Sequence, residues 1–461
     1  MTVTPNPALL WFVIGYGLIM VVLGIWFSRR IKNSDDFILA GKSLGPFVLA
    51  GTLLATFTGS GSVTGGSNSL GYSYGFWPAN LLAPGLIFAF VVLYFIAPRI
   101  RRFGKYTVSQ ILEAQYGQGA KVLSAVIIIL AYIGIVSYQF KGLAFVLKVT
   151  TGIPVATGTI ISAVLIIFLA VIGGLMAVAP TDALSAFLML VGLIIAIPAV
   201  LIAGGGWAQI ASNLPPENLT ATGSLTGFQM IGFLIPILFL MLGDQNIYQR
   251  LASSDGEKSA RSGLVFMAIG MFLVLPAISF IAMVARSIYP NIDPGMAMIS
   301  MTTVMPTLFG GIMLAAVAAF VVTTGNSYLL SGATSLTYDV YVRFFRPDAG
   351  SKEILFFTKV SIPILGVLAY VLLQFFPTIL KIQMTSYLVY GAGITPAVLA
   401  VFIWPRVNKW GGISSMLTGV IGTLVLYGKY GMAASAMAVP IAIFFLVVVT
   451  LITPKNKAAV I

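Results

Sequence analysis

The sequence predicts an all-α polytopic membrane protein with two inverted five-helix repeats, and three observations carry that prediction. Of 461 residues, 59% are apolar and 8% charged, against about 25% charged in an ordinary soluble chain. A surface this poor in charge can be solvated only by lipid. The cations fall in alternate connections between apolar stretches. Two of those stretches, five apart in order, are interrupted by glycine or polar residues at membrane depth. Cytosolic enzymes, nucleic-acid binders and secreted modules are thereby excluded. The chain has no Cys and no His, so disulfides, thiolate or imidazole metal sites and histidine acid–base chemistry are excluded too.

A bilayer core takes about 20 apolar residues per helix. Thirteen stretches meet this, near 9–27, 46–70, 77–97, 121–148, 154–174, 178–203, 228–249, 261–288, 308–334, 354–376, 379–403, 411–427 and 435–453. Residues 1–8 carry no Lys or Arg, so the first stretch reads as a retained helix and not as a signal peptide. The expected organisation is a leading helix and cytoplasmic loop (1–45), a first repeat (46–203), an outer loop (204–227), a second repeat (228–403) and two accessory helices (404–461).

Charge placement fixes the expected orientation. With Met1 outside, the inner connections carry 19 of the 25 cations, among them Arg29, Lys42, Arg101, Lys121, Arg250, Arg343, Lys455 and Lys457. The outer loops near 204–227 and 289–307 carry none. Positive charge is retained on the cytoplasmic side, so Ile461 is expected there. Topology accounts for the net charge of +13, and no nucleic-acid partner is implied.

Stretch two contains Ala55-Thr56-Phe57-Thr58-Gly59-Ser60-Gly61-Ser62-Val63-Thr64-Gly65-Gly66. Each Gly weakens a helix by about 1 kcal/mol relative to Ala, and backbone freed at membrane depth is tolerated where it lines a buried polar cavity. Close packing of small residues is the alternative. Stretch seven is apolar from Phe228 to Leu242 and then meets Gly243-Asp244-Gln245-Asn246, readable as a break or as a plain helix end before Arg250. Five helices apart is an odd number, so the two stretches cross the membrane in opposite directions. Paired interrupted helices in two inverted halves point to the central site of a transporter.

Two carboxylates, Asp182 and Asp244, are counted inside the bundle, where an ionisable group is a functional candidate by default. Asp182 also reads as a helix cap after Pro180. Thr323-Thr324-Gly325-Asn326-Ser327 in stretch nine cluster oxygens in mid-helix; the alternative is that each hydroxyl bonds back one turn. A hard cation takes carbonyl and hydroxyl oxygens, which Asp182, these side chains and unwound carbonyls from stretch two can offer. Lys141 either snorkels outward or orients a solute together with Gln139.

At these positions the chain resembles the solute:sodium symporter family, the group of sodium-driven sugar, proline and sialic-acid transporters. The residues that carry the resemblance are Gly59–Ser62, Ala177-Val178-Ala179-Pro180-Thr181-Asp182, Asp244-Gln245-Asn246-Ile247-Tyr248-Gln249-Arg250, and Leu314-Ala315-Ala316 leading to Thr323–Asp339. The resemblance covers nearly the whole chain, from the first helix to Pro454. The resemblance implies a LeuT-type fold and Na+ as the coupling ion. Its principal sodium site would take carbonyls of Ala55, Thr58 and Phe320 and hydroxyls of Thr323 and Thr324. A second site, found in some members, would use Asp182, Thr323, Asn326 and Ser327. Asn326 departs from the serine of those members, and Pro180 from the usual Trp. Substrate contacts would come from Phe57, Gly59, Ser60, Ser62, Trp77, Gln139, Lys141, Asp244 and Gln245.

The expected activity is therefore sodium-coupled symport of a small polar solute by alternating access, with one or two Na+ and no organic cofactor. An amino acid, carboxylate or urea-like compound is favoured over a sugar, and membrane lipid is the only other partner implied. Proton coupling through Asp182 or Asp244 is the alternative on the same scaffold. A channel is disfavoured by the lack of charge rings or repeated filter loops, a membrane-embedded enzyme by the lack of acid–base groups, and a sensor by the lack of a soluble output domain.

Overall fold

The computed structural model describes residues 3–81 and 83–454. Met1, Lys455, Lys457 and Ile461, used above to orient the chain, lie outside the described residues. Among the described residues, eleven helices are long and apolar enough to cross a bilayer, twelve if a bent pair is taken as one span. In chain order the elements are α1 (Ala8–Ser28), the bent pair α2 (Pro46–Thr58) and α3 (Gly61–Tyr74), α4 (Ala83–Phe103), α5 (Gln118–Thr151) and α6 (Val155–Ala203). The second half holds α7 (Gly227–Gly243), α8 (Gln245–Ala252), α9 (Glu257–Ile288), α10 (Thr307–Ser335), α11 (Ser351–Leu373), α12 (Ile379–Gly393) and α13 (Thr395–Ile403). Then α14 (Lys409–Tyr430) and α15 (Ser435–Ile452) close the described chain.

The 49 residues of α6 would extend about 74 Å as one rod, more than twice the hydrocarbon core. Gly174 sits inside it at φ 58°, a left-handed conformation that only glycine adopts cheaply, and turns the chain back. Ile161 shares a groove with Leu10 of α1. Thr181 shares one with Met20, and Ser185 has returned to Tyr16, hydroxyl to hydroxyl at 3.0 Å. One continuous helical run is thus a hairpin, and Asp182 lies well inside its second arm. The helix-cap reading of Asp182 does not hold.

Both predicted interruptions are present. The pair α2–α3 bends by 46° at Gly59, where ψ is −148°. The pair α7–α8 breaks at Asp244, where ψ is 123°. The long helices α5 and α10 and the pairs that open each repeat make the buried centre, while α1 turns Trp11, Leu18 and Val22 outward.

The connections that the charge pattern assigns to the inner side gather at one face. Leu44 N donates to Ser253 O at 3.0 Å, Arg101 Nε to Ser254 O at 2.6 Å and Gln249 Nε2 to Tyr106 O at 2.6 Å. Arg102–Glu257 and Lys121–Glu113 pair there at 3.1 and 2.8 Å. A third buried carboxylate belongs to this basic face: Asp339, fully enclosed, accepts from Thr107 Oγ1 at 2.9 Å. It stands in a π-turn that ends α10, so a count based on helix ends wrongly placed it in solvent.

Candidate functional site

The break in α2 ends a helix, and the last four carbonyls of a helix have no partner within it. In α2 these belong to Ala55, Thr56, Phe57 and Thr58. The structure lays them against the middle of α10. Thr324 Oγ1 donates to Ala55 O at 2.9 Å, and Thr323 Oγ1 donates to Phe320 O at 3.3 Å. Ala55, Thr58, Phe320, Thr323 and Thr324 are all buried. Gly59 makes the approach possible, because a Cβ there would stand 1.9 Å from Thr324 Oγ1. The residues of the expected principal sodium site thus lie on two elements that cross, α2 and α10; Ala55 O and Thr324 Oγ1 meet across the crossing, while Thr323 Oγ1 bonds back one turn within α10.

One turn toward the basic face the residues of the expected second site meet a different cation. The Arg250 guanidinium, 1% exposed, reaches Asp182 Oδ2 at 3.4 Å and donates to Ser327 Oγ at 2.7 Å. Its Nε donates to Thr52 Oγ1 at 2.9 Å, and that hydroxyl donates to Asp182 Oδ2 at 2.5 Å. Its Nη1 donates to Asn246 Oδ1 at 3.2 Å. Arg250 thus ties α2, the second arm of α6, α8 and α10 together. The charge of Asp182 is answered by an arginine, while its Oδ1 and Asn326 Oδ1 have no hydrogen-bond partner among the described residues. Sequence reasoning treated Arg250 as an inner-loop cation; it stands on the polar side of α8 with Asn246 and Gln249, and all eight residues of that helix are buried, so no local pattern marked it.

On the other side of the α2–α3 break lies a cavity lined by Phe57, Ser62, Ser67, Asn80, Gln383 and Tyr387, with an apolar wall from α4, α7 and α9. Of the predicted substrate contacts, Phe57 and Ser62 line it. Gly59 faces Thr324 instead. Ser60 N donates to Gln139 Oε1 at 2.9 Å, so these two residues clasp α3 to α5 behind the cavity. Trp77 is 55% exposed, stacked edge-on to Phe76, and lies off the cavity. Lys141 Nζ reaches Pro377 O at 3.2 Å, the snorkelling outcome. Asp244 accepts from Tyr328 OH at 2.7 Å, from Tyr132 OH and from Asn246 N at 3.1 Å. Gln245 joins Val108 N and Ser335 Oγ, each at 3.0 Å. Both of these residues serve the break in the second repeat and do not line the cavity.

Gln383 was missed, since a lone amide in stretch eleven carries no local pattern. Its Nε2 donates to Gly61 O at 2.8 Å and its Oε1 accepts from Gly66 N at 2.9 Å, so one side chain satisfies two backbone groups freed by the break. Each such group costs about 1–3 kcal/mol when left buried and unpaired. Gln383→Leu is expected to lower the thermal midpoint and the denaturant midpoint accordingly. An unchanged midpoint would show that the break needs no clasp.

The comparisons with known proteins agree with this architecture. The sodium:solute symporter family model matches residues 37–419. The sodium/pantothenate symporter of Escherichia coli is 27% identical over 436 residues, covering 88% of each chain. The high-affinity proline transporter PutP of Bacillus subtilis is 24% identical, covering 90% of this chain and 91% of its own. Among solved structures, a substrate-bound, outward-open Na+-coupled sialic acid symporter superposes with a TM-score of 0.81 at 18% identity, over 98% of this chain and 99% of that one. Mhp1, a nucleobase-cation-symport-1 family transporter, gives 0.62 at 12% identity, over 93% and 98%. These likenesses establish the LeuT-type fold, and with the family match over most of its length the chain belongs to the sodium:solute symporter family.

Proposed function

We propose that this chain is a multi-pass symporter that couples Na+ to the uptake of a small polar organic solute by alternating access. The observation that carries the reading is the approach of the broken end of α2 to the middle of α10, where Ala55 O and Thr324 Oγ1 meet at 2.9 Å in the buried centre. Sodium there would bridge the two repeats: Ala55 and Thr58 belong to the first, Phe320, Thr323 and Thr324 to the second. The cavity of Phe57, Ser62 and Tyr387 lies beside it and would hold the solute. Relatives named for pantothenate and proline support a solute of that size.

The proposed cycle follows from what each side of the break holds. Toward the basic face, Arg250, Gln245 and Gln249 lock α2, α8 and α10 together, so that side is closed. Sodium favours the arrangement in which α2 and α10 touch, and the solute binds to that arrangement more tightly; the coupling is reciprocal. Passage to the other face requires the Arg250 tie to part while the two broken pairs rock against their surroundings. We place thirteen crossings in the membrane, counting the α6 hairpin as two, with repeats at 46–203 and 228–403, the N-terminus outside and the C-terminus cytoplasmic.

The test is uptake into proteoliposomes. A sodium gradient should drive accumulation, and a proton gradient in sodium-free buffer should not. Uptake that follows the proton gradient alone would replace the reading by proton coupling, with Asp182 or Asp244 as the carrier.

A further inference from the structure

An open apolar groove of about 620 Å³ runs between α4 and α9 on the lipid-facing side of the bundle. Val91, Tyr94 and Phe95 form one wall and Val265, Ile269 and Leu273 the other, each more than a third exposed. Phe90 and Phe272 meet across it, their ring centroids 6.5 Å apart. None of the lining residues is charged.

The groove ends at cations. Helix α9 starts at the basic face, and Arg261, one turn before Val265, lays its guanidinium over the Tyr94 ring at 5.3 Å from the centroid. Stacking on an aromatic face leaves the in-plane N–H donors of a guanidinium free, and their fork matches a phosphate. Arg261 is exposed, and no carboxylate lies within salt-bridge distance of it among the described residues. The same holds for Lys258, its neighbour one turn earlier on α9. Arg102 and Glu257 answer each other at 3.1 Å and tie the two helices together at this end, so two positive charges stay unanswered at the mouth of an apolar channel. The dimensions fit one leaflet. Arg261 to Leu273 spans about 18 Å of helix rise, and half of a hydrocarbon core is about 15 Å deep.

We propose that this groove holds an anionic phospholipid from the leaflet at the basic face, its phosphate on Arg261 and Lys258 and one acyl chain between α4 and α9. Basic pockets at the ends of membrane helices select anionic headgroups in this way. Phe272 also lines the cavity beside the α2–α3 break, so the chain supports part of that cavity's wall from the lipid side. A second copy of the protein is the other occupant an apolar face invites. Copies in one membrane insert the same way round, so a two-fold contact here would bring both sets of cations to the same end, and no acid lines the groove to answer them.

The full chain in neutral detergent is titrated with dioleoylphosphatidylglycerol, and its thermal midpoint is followed against the mole fraction of lipid in the micelles. Dioleoylphosphatidylcholine, with the same chains and no net charge, and glycerol phosphate, with the anion and no chains, are the comparisons. A ligand of the folded state raises the midpoint. Each cation near a membrane surface contributes about fivefold in affinity for anionic lipid, so the half-effective fraction of phosphatidylglycerol should lie about 25-fold below that of phosphatidylcholine. Glycerol phosphate should give no rise. Arg261→Gln should raise the half-effective fraction of phosphatidylglycerol about fivefold, and Val91→Trp, which fills the groove and alters no charge, should abolish the saturable rise. Lys352→Gln, an exposed cation on α11, which does not border the groove, should respond as the unaltered protein does. Equal curves for the two lipids would leave only ordinary annular lipid, and equal losses in Arg261→Gln and Lys352→Gln only diffuse surface charge; either result overturns the proposal. So does a full rise with glycerol phosphate, or a monomer–dimer equilibrium that Val91→Trp abolishes, which would give the face to a second copy. These readouts need neither sodium nor solute, so they succeed or fail independently of the transport reading.

Discussion

Thr324→Ala is expected to cost most of the response to sodium while leaving the fold intact. The variant removes one of the oxygens expected to hold sodium at the α2–α10 crossing and the 2.9 Å bond to Ala55 O, and it leaves the neighbouring packing almost unchanged. A tenfold loss of affinity corresponds to about 1.4 kcal/mol, a modest figure for a coordinating oxygen, so the half-effective sodium concentration should rise by at least about tenfold. Because sodium and solute binding are coupled, solute affinity measured at a fixed, sub-saturating sodium concentration should fall too and should recover at saturating sodium. Thr324→Ser keeps the hydroxyl and should retain the response. An unaltered sodium midpoint in the alanine variant would mean that the ion binds elsewhere. A fall in both variants would assign the threonine to packing, since the methyl is then the group that matters. Gly59→Ala should resemble Thr324→Ala from the opposite side, its Cβ competing for the space of that hydroxyl.

The principal crossing was legible because its signals are local. Four glycines within eight positions mark a break whatever surrounds it, and the run Thr323–Ser327 places two adjacent hydroxyls on a helix that is otherwise apolar. Each lies in one segment, and their meeting follows from the inverted order of the two repeats. The residues that were misplaced depend on tertiary pairing. Gln139 and Gln245 resemble solute contacts in a linear reading, yet each bonds backbone, Gln139 the Ser60 N–H at the break and Gln245 the Val108 N–H at the start of a neighbouring helix, Val108–Tyr116. A broken helix exposes amides and carbonyls that must be satisfied, and side-chain amides are suited to that task, having both a donor and an acceptor. Polar residues near a break are therefore divided between serving the solute and serving the backbone, and only the three-dimensional contacts separate the two uses. Lys141, well inside α5, extends its stem to bring the ammonium to Pro377 O, as a snorkelling lysine does.

Arg250→Met is expected to be the most destabilising single substitution in the bundle. Removing one partner of a buried ion pair costs about 3–5 kcal/mol, because the other charge is left enclosed and uncompensated. Here the loss extends beyond Asp182: Thr52, Ser327 and Asn246 also lose the donor that links them. Thermal midpoint and yield of monodisperse protein should both fall. The double variant Asp182→Asn with Arg250→Met should recover a large part of that loss, since an amide and a thioether leave no bare charge; a double-mutant cycle gives the coupling directly. If the double variant is no more stable than Arg250→Met, the pair does not govern the stability of this region. The recovered protein should nonetheless transport poorly. The four helices joined by Arg250 include both members of the sodium crossing, so without the tie the closed side would open irrespective of sodium, and solute would leak across instead of being driven. Sodium-independent equilibration by a stably folded double variant is the result that separates a gate from a structural brace.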